Sequence, residues 1–314
     1  MGWYIILRCT ADYPPKMKTV KLLHNPGAGE AEHSKKNLVA HIRTAAFDCS
    51  YSSTKEDEWE ESIPYKTDFI AIAGGDGTVR KLARHLLNRR LMDKRFPIGL
   101  IPLGTANNIA RTLGISGTPQ EIIANWKNKN IRKIDIGRIY NLRQSKFFME
   151  GLGYGVFPRL MRKMKDRQNQ SDDPEAELRS ALRLLHEIIL TYRAKPCHIK
   201  VDGKAYYGKY LMAEVMNVHS IGPNLNIAPH ADPGDGRLEV ILVTEEQREQ
   251  LANYILHRLE NGKEEPFFHE ALSAKKIEIV WEGGQLHTDD QLIPIKKSKK
   301  IKIEVEKGLL DFLV

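Results

Sequence analysis

Thr19–His24 reads as a strand that stops at the turn cluster Asn25-Pro26-Gly27-Ala28-Gly29. A polar stretch with helical spacing follows over Ser34–Ala46, its apolar residues at Leu38, Val39, Ile42, Ala45 and Ala46. The same order recurs twice. Phe69–Ala73 is an uninterrupted apolar strand ahead of Gly74-Gly75-Asp76-Gly77-Thr78, and Val79–Leu91 spaces Val79, Leu82, Ala83, Leu86 and Leu87 as a helix does. Pro97–Ile101 is a third strand, followed by Pro102-Leu103-Gly104-Thr105 and a helix over Asn107–Leu113. Strand, glycine turn and helix in repeated order predict a parallel sheet with crossover helices. Continuous apolar strands predict that both faces of that sheet are covered.

After about Asp135 the pattern changes. Phe147–Glu150, His198–Val201, Lys209–Asn217, Leu238–Val243, Lys276–Trp281 and Ile301–Val305 are extended segments, most of them separated by Gly, Pro, Asn or Asp. They predict an antiparallel β-domain, interrupted by helices over Pro174–Thr191 and Thr244–Leu259. No long linker separates the halves near Asp135-Ile136-Gly137, so a cleft between two domains is expected.

Composition narrows the class. The 314 residues are 41% hydrophobic and 28% charged, which excludes a disordered or fibrous chain. The longest apolar runs, Phe69–Ala73 and Ile98–Leu103, fall far short of the ~20 residues that span a bilayer. Three cysteines, Cys9, Cys49 and Cys197, give no disulfide framework and fit a reducing cytosol. Trp3–Leu7 is too short for a leader, and Met17 is a candidate start, with residues 1–17 an extension. Lys+Arg 48 against Asp+Glu 40 gives a net charge of +8 and favours an anionic partner. The histidines show neither H-E-x-x-H nor C-x-x-C spacing, so zinc is not expected.

Each glycine cluster of the first half sits at the C-terminal end of a parallel strand, where loop amides and helix N-termini converge on anions. Gly74–Thr78 can offer amides, a metal-facing carboxylate and a hydroxyl; its plainer reading is a strand-to-helix turn with Thr78 as cap. Neither a G-x-x-x-x-G-K-[ST] loop nor a G-x-G-x-x-G with its distal acid is present. Gly151-x-Gly153-x-Gly155 reads as a tight turn before a helix started by Pro158.

Asn25–Gly29, Gly74–Thr78 and Pro102-Leu103-Gly104-Thr105-Ala106-Asn107-Asn108 resemble the three ordered motifs of the diacylglycerol kinase-like lipid kinases. That family includes sphingosine kinases and soluble bacterial lipid kinases, with NAD kinases as distant relatives. Asn217–Val240, with Asp235-Gly236-Arg237-Leu238-Glu239-Val240, resembles the second-domain signature, and His287-Thr288-Asp289-Asp290-Gln291 stands where the acidic D-G-E motif belongs. The resemblance implies a Rossmann-like α/β nucleotide-binding domain over 1–138, with 306–314 returning to it. A β-rich, antiparallel sandwich domain over 139–305 would bind the lipid. It further implies transfer of the γ-phosphate of ATP to a lipid hydroxyl, of diacylglycerol or a related lipid, in the interdomain cleft.

On that resemblance Asn25, Pro26, Gly27, Ala28, Gly29, Gly74, Gly75, Asp76, Gly77 and Thr78 would hold the nucleotide, with Thr54, Gly104, Thr105 and Asn107 as further contacts. Asp76 and Asp135 would hold the catalytic Mg²⁺ and Asp289 would be the general base, on one strand face with Gln291. Asp235 would ligate a structural Mg²⁺ together with main-chain carbonyls near Asp232 and Arg237. The chain departs from the family pattern at Glu30 (usually Lys or Arg), Arg80-Lys81 (often Asn-Glu), Asn108 (usually Asp), and Asp290 and Gln291 (Gly and Glu). Arg80, Lys81 and Lys36 are the cations that could act near the phosphates.

Two basic runs, Arg159-x-x-Arg162-Lys163-x-Lys165-x-Arg167 and Lys296-Lys297-Ser298-Lys299-Lys300, read as solvated surface or as a footing on anionic membrane. No groove-reading motif or aromatic platform accompanies them, so nucleic acid is not an expected partner. The expectation is a cytoplasmic, peripherally membrane-associated lipid kinase. The rivals are a catalytically weak or inactive nucleotide-binding regulator and an NAD kinase-like enzyme with a soluble substrate. A homodimer is compatible with the sequence and not specified by it.

Overall fold

The computed structural model describes residues 17–29, 33–89, 94–167, 173–262, 266–267 and 270–314; Trp3–Leu7, Cys9 and Glu30 lie outside them. The first half runs β1 (Thr19–His24), α1 (Lys35–Thr44), β2 (Asp48–Ser53), β3 (Phe69–Gly74), α2 (Asp76–Leu87), β4 (Ile98–Pro102), α3 (Asn108–Thr112), α4 (Pro119–Asn125) and β5 (Ile131–Tyr140). Strands pair in the order β2-β1-β3-β4, every pair parallel. Both faces are covered. Phe69, Ala71, Val20 and Leu22 pack with Leu38, Ile42 and Trp126 on one side, while Ile70, Ile72 and Leu23 pack with Val79 and Leu82 on the other. Trp126 lies so close on β4 that a Cβ at Gly99 would fall 2.6 Å from its ring.

Caps set the helix starts. The Ser34 side chain accepts from the Asn37 amide ahead of α1, and α4 opens on a capping box of Thr118 and Glu121 with Pro119 in the first turn. Helix α2 begins at Asp76, three residues before its apolar periodicity, because Gly75 is the N-cap and Asp76 the first-turn acid.

The second half comprises β6 (Phe147–Phe148), β7 (Gly151–Gly155), α5 (Val156–Lys165), α6 (Pro174–Thr191), β8 (Lys195–Val201), β9 (Lys204–Met216), β10 (Ser220–Ile221), β11 (Leu225–Asn226) and β12 (Leu238–Thr244). It continues through α7 (Arg248–Asn261), β13 (Leu272–Ala274), β14 (Lys276–Trp281), β15 (Gln285–Thr288), β16 (Gln291–Pro294) and β17 (Lys300–Leu313). Strand β9 organises it: Lys204–Tyr210 pairs with β8, and Met212–Met216 pairs with both β7 and β12, all antiparallel. One face of this sheet packs on α6 and α7 through Leu182, Leu185, Ile189, Leu251 and Ile255; the other forms a second core around Ile199, Val215, Ile277 and Trp281. The chain therefore has an α/β first domain and a β-rich second domain.

Gly151-x-Gly153-x-Gly155 is strand β7, not a tight turn. A Cβ at Gly153 would fall 1.7 Å from the Glu214 carboxylate, and one at Gly155 (φ 99°) 2.0 Å from the Leu211 carbonyl oxygen. The glycines make room for neighbours across the sheet.

Two long strands are shared between the halves. β17 runs antiparallel to β5 from Lys302 opposite Tyr140 to Leu313 opposite Ile131, and its end lies parallel to β4. The expected boundaries at 138/139 and 305/306 thus fall inside strands. The register shifts between Glu306 and Leu310, where Gly308 takes a φ of 58°. Buried Asp135 fills that irregularity, accepting the Gly308 amide at 2.7 Å and the Gly236 amide at 2.6 Å.

Candidate active site

The loops that end β1, β3 and β4 lie side by side because those strands are neighbours. They enclose a cleft of about 980 Å³ lined by Asn25, Gly27, Ala28, Gly29, Gly75, Gly77, Thr78, Gly104 and Thr105, joined by His33, Lys81 and Asp290. A parallel sheet aims its loop amides and helix N-termini at this edge, which suits phosphate. The loops touch backbone to backbone: a Cβ at Gly104 would lie 2.5 Å from the Gly75 Cα. Asn107, at φ 51°, holds the third loop by accepting the Gly104 amide at 2.9 Å and donating to its carbonyl at 2.6 Å.

Several expected contacts sit elsewhere. Pro26, Gly74, Thr54 and Asn107 are not among the cleft's lining residues. Thr54 is buried, its amide bonded to the His24 carbonyl, and Gly74 packs under Thr78. Lys36 is exposed on α1 outside the lining, whereas Lys81 lines it. Lys55, absent from the expected contacts, places its ammonium 3.0 Å from where a Cβ of Gly27 would sit. No motif marks it; only the pairing of β2 with β1 brings it over the first loop.

Beside this cleft is an apolar pocket of about 200 Å³ lined by Phe157, Leu160, Met161 and Ile221 above a floor of Asp76, Asn108, Glu150, His287 and Asp289. Asp76 accepts the Asn108 and Ile109 amides at 2.9 and 3.1 Å and so ties α2 to α3. Burial pushes its pKa up against those amides, and Asp289 and Asp290 add to the rise. Glu150 is held well above the usual carboxylate range by burial first and by Asp76 and Asp289 after it. The Asn108 side-chain Nδ2 donates to Glu150 at 2.9 Å, which accounts for the Asn at this position, since an Asp there would add another buried acid.

Arg80 is the cation of the cluster. Its Nε donates to Asp289 at 2.7 Å, and its Nη2 reaches the Ser145 hydroxyl at 3.1 Å. It is therefore engaged with a carboxylate rather than free for phosphate. Asp289 also accepts the Met149, Glu150 and Gly151 amides, at 2.8 to 3.2 Å. Burial nevertheless raises its pKa more than Arg80 and the amides lower it.

The expectation that Asp289 and Gln291 share a strand face is corrected. Asp289 has a φ of 49° in the turn between β15 and β16, and Gln291 begins β16. Asp135, expected beside Asp76, lines neither cavity: its carboxylate accepts the Gly236 and Gly308 amides, with Asp235 nearby. The expected structural-metal turn is closed by its own bonds. The Asp232 carbonyl accepts the Asp235 amide, the Asp235 carboxylate accepts the Arg237 amide at 2.8 Å, and the Asp232 carboxylate pairs with Arg132 at 2.7 Å.

In the floor, His287 Nδ1 lies 3.1 Å from the Asp289 carbonyl oxygen and Nε2 lies 2.8 Å from Glu214. A carbonyl only accepts, so Nδ1 carries hydrogen, and a further proton is shared between Nε2 and Glu214. Burial opposes the charged ring, but Glu214 and the Asp289 carbonyl outweigh it and hold the imidazole above its usual pKa; burial raises Glu214 as well. Both groups hold protons more tightly folded than unfolded. Their contribution is complete below the ordinary Glu and His values of about 4.3 and 6.5 and is lost as pH rises through the raised folded values. Glu214→Gln leaves the ring buried without its carboxylate, which lowers its pKa and reverses the slope. The difference in melting temperature between wild type and Glu214→Gln should therefore shrink from about pH 5.5 to about pH 8.5. A gap that widens would show the shared proton to be misassigned.

The comparisons agree with this architecture. Residues 19–139 match the model of the diacylglycerol kinase catalytic domain, and residues 162–290 that of the YegS C-terminal NAD kinase beta sandwich-like domain. A diacylglycerol kinase of Bacillus subtilis is 26% identical over 311 residues, 93% of this chain and 88% of its own. A Stenotrophomonas maltophilia protein named "Probable lipid kinase YegS-like" is 26% identical over 243 residues, 74% of this chain and 75% of its own. The crystal structure of a diacylglycerol kinase from Bacillus anthracis superposes with a TM-score of 0.70 at 23% identity, covering 95% of this chain and 97% of that one. An NAD kinase from Archaeoglobus fulgidus in complex with ATP shares the fold at a TM-score of 0.53 and 12% identity, covering 94% and 93%. With both domain models in their expected order along one chain, the protein belongs to the diacylglycerol kinase-like lipid kinase family.

Proposed function

We propose that the protein transfers the γ-phosphate of ATP to the hydroxyl of a diacylglycerol or related lipid. The observation that carries this reading is the junction of two cavities: a glycine-walled cleft suited to phosphates opens beside an apolar pocket floored by acids. Phosphoryl transfer consists mostly of positioning and charge neutralisation, which amides, cations and carboxylates supply. Mg²⁺ fits the set. Asp76 and Glu150 are buried acids whose pKa values are raised by burial first and by neighbouring carboxylates after it, and kinase Mg²⁺ takes one or two carboxylates plus phosphates and water. Among the described residues no group of three or more His, Cys, Asp or Glu could hold a metal by itself. Asp76 is the residue that would hold it, and the bound ion would neutralise phosphate charge.

A second reading, a nucleotide-binding regulator without turnover, is favoured by the engagement of Asp289 with Arg80 and three amides. A phosphorylation screen over lipid hydroxyls in mixed micelles, with NAD as a parallel acceptor, separates the readings. Lipid phosphate formed with ATP is the expected result. Transfer to NAD alone, or ATP binding with no acceptor phosphorylated, overturns it.

The lipid has to be reached at a surface. No helix among the described residues is long and apolar enough to cross a membrane. Helix α5 places Phe157, Leu160 and Met161 on the pocket and exposes Arg159, Arg162 and Lys165. We assign that basic face to anionic membrane, each residue contributing about 1 kcal/mol near the surface. Replacing all three with Ala should weaken partition onto phosphatidylglycerol vesicles by roughly 100-fold. Unchanged co-sedimentation would place the membrane face elsewhere.

A further inference from the structure

We propose that Asp290, not Asp289, is the catalytic carboxylate that takes the proton of the lipid hydroxyl; the assignment rests on the lipid-kinase reading above. The two adjacent acids have opposite surroundings. The Asp289 side chain is 1% exposed and that of Asp290 is 58% exposed. A carboxylate offers about four lone-pair positions, and Asp289 commits its oxygens to the Met149, Glu150 and Gly151 amides and to Arg80. To receive a proton it would have to break a buried hydrogen bond to a charged group. Asp289 is instead a positioning residue: its αL turn and the Arg80 pair fix where the next side chain emerges.

Asp290 emerges at the junction. Among the described residues it alone lines both the glycine-walled cleft and the apolar pocket. One of its carboxylate oxygens lies 3.0 Å from the Cβ position of Gly77, in the phosphate-facing first turn of α2, and the other lies 3.9 Å from Arg80 Nη1. A lipid with its tail against Phe157 and Leu160 and its hydroxyl directed at the glycine loops passes this carboxylate. The acid absent at Gln291 reappears one residue earlier, where the family pattern has Gly.

In the step, the hydroxyl oxygen forms a bond to the γ-phosphorus. The bond from that phosphorus to the β-γ bridging oxygen breaks, its electron pair leaving with ADP. The hydroxyl proton passes to an Asp290 carboxylate oxygen and from there to water, which the exposed side chain contacts freely.

The test compares wild type, Asp290→Asn and Asp290→Glu, reading kcat on the best lipid of the micelle screen, Kd for ATP, the Mg²⁺ concentration for half-maximal rate, and melting temperature. Loss of a general base predicts a kcat lower by about 100-fold or more in Asp290→Asn, with ATP affinity and melting temperature close to wild type and partial recovery in Asp290→Glu. An Asp290→Asn enzyme that keeps more than about a third of wild-type kcat overturns the assignment while the lipid-kinase reading stands. A loss that appears as a higher Mg²⁺ requirement, and that excess Mg²⁺ repairs, makes Asp290 a metal-holding group and also overturns it. If wild type binds ATP yet phosphorylates no lipid, the function falls first and the proposal with it.

Discussion

Arg80→Ala should lower the melting temperature by on the order of 10 °C, since removing one partner of a buried ion pair costs about 3–5 kcal/mol. The Arg80 and Asp289 side chains are 9% and 1% exposed, so water cannot replace the lost partner. The loss also strips a cation from beside a cluster that holds Asp76, Glu150 and Asp290 as well. Arg80 lowers the Asp289 pKa; without it that pKa rises further above the unfolded value of about 3.9. The folded variant then holds its proton more tightly than the unfolded chain, so its stability falls as pH rises through the raised value. The deficit should be smaller at about pH 5 than at about pH 8, and Arg80→Met with Asp289→Asn should recover most of it. Thermal melts of these variants at both pH values check the account; an Arg80→Ala protein that melts with wild type would refute it.

Gly104→Ala should reduce ATP affinity by roughly 100-fold or more with little change in melting temperature, because two or more charge-assisted amide–phosphate bonds at about 1.5–3 kcal/mol each would be lost. The added Cβ would sit 2.5 Å from the Gly75 Cα and 2.9 Å from Asn107 Oδ1. The first of these atoms is backbone and the second already holds the loop, so the second and third loops must part. Parting them moves the amides that face the cleft, while the core beneath stays intact. Titration calorimetry with ATP and Mg²⁺ measures the effect. An alanine variant that binds ATP as wild type does would show that the close approach of the loops plays no part in the site.

The apolar runs of β3 and β4 and the glycine clusters after them were legible because a parallel strand buried on both faces admits almost only apolar residues. The turn that follows such a strand has to make room for a helix, and glycine marks it. Helix α6 was legible to its ends through Pro174 and its long apolar periodicity. Family membership followed from the order and spacing of short motifs, a property of the chain alone. Strand β2, Asp48–Ser53, escaped because it is an edge strand with mixed polarity and no alternation strong enough to read.

What the sequence could not carry is distance between remote residues. Asp135 matched a catalytic position in the motif order, yet its carboxylate closes a register shift between β5 and β17, strands separated by more than half the chain. Arg80 read as a candidate phosphate cation until the fold set Asp289, 209 residues away, at 2.7 Å. Asp289 and Asp290 are the same residue type at neighbouring positions, and only the αL turn at Asp289 buries one and exposes the other. Local sequence fixes which elements form, because period and caps act within a few residues. The division of labour among acids depends on burial and on partners brought from elsewhere in the chain, and those exist only once the sheet has assembled.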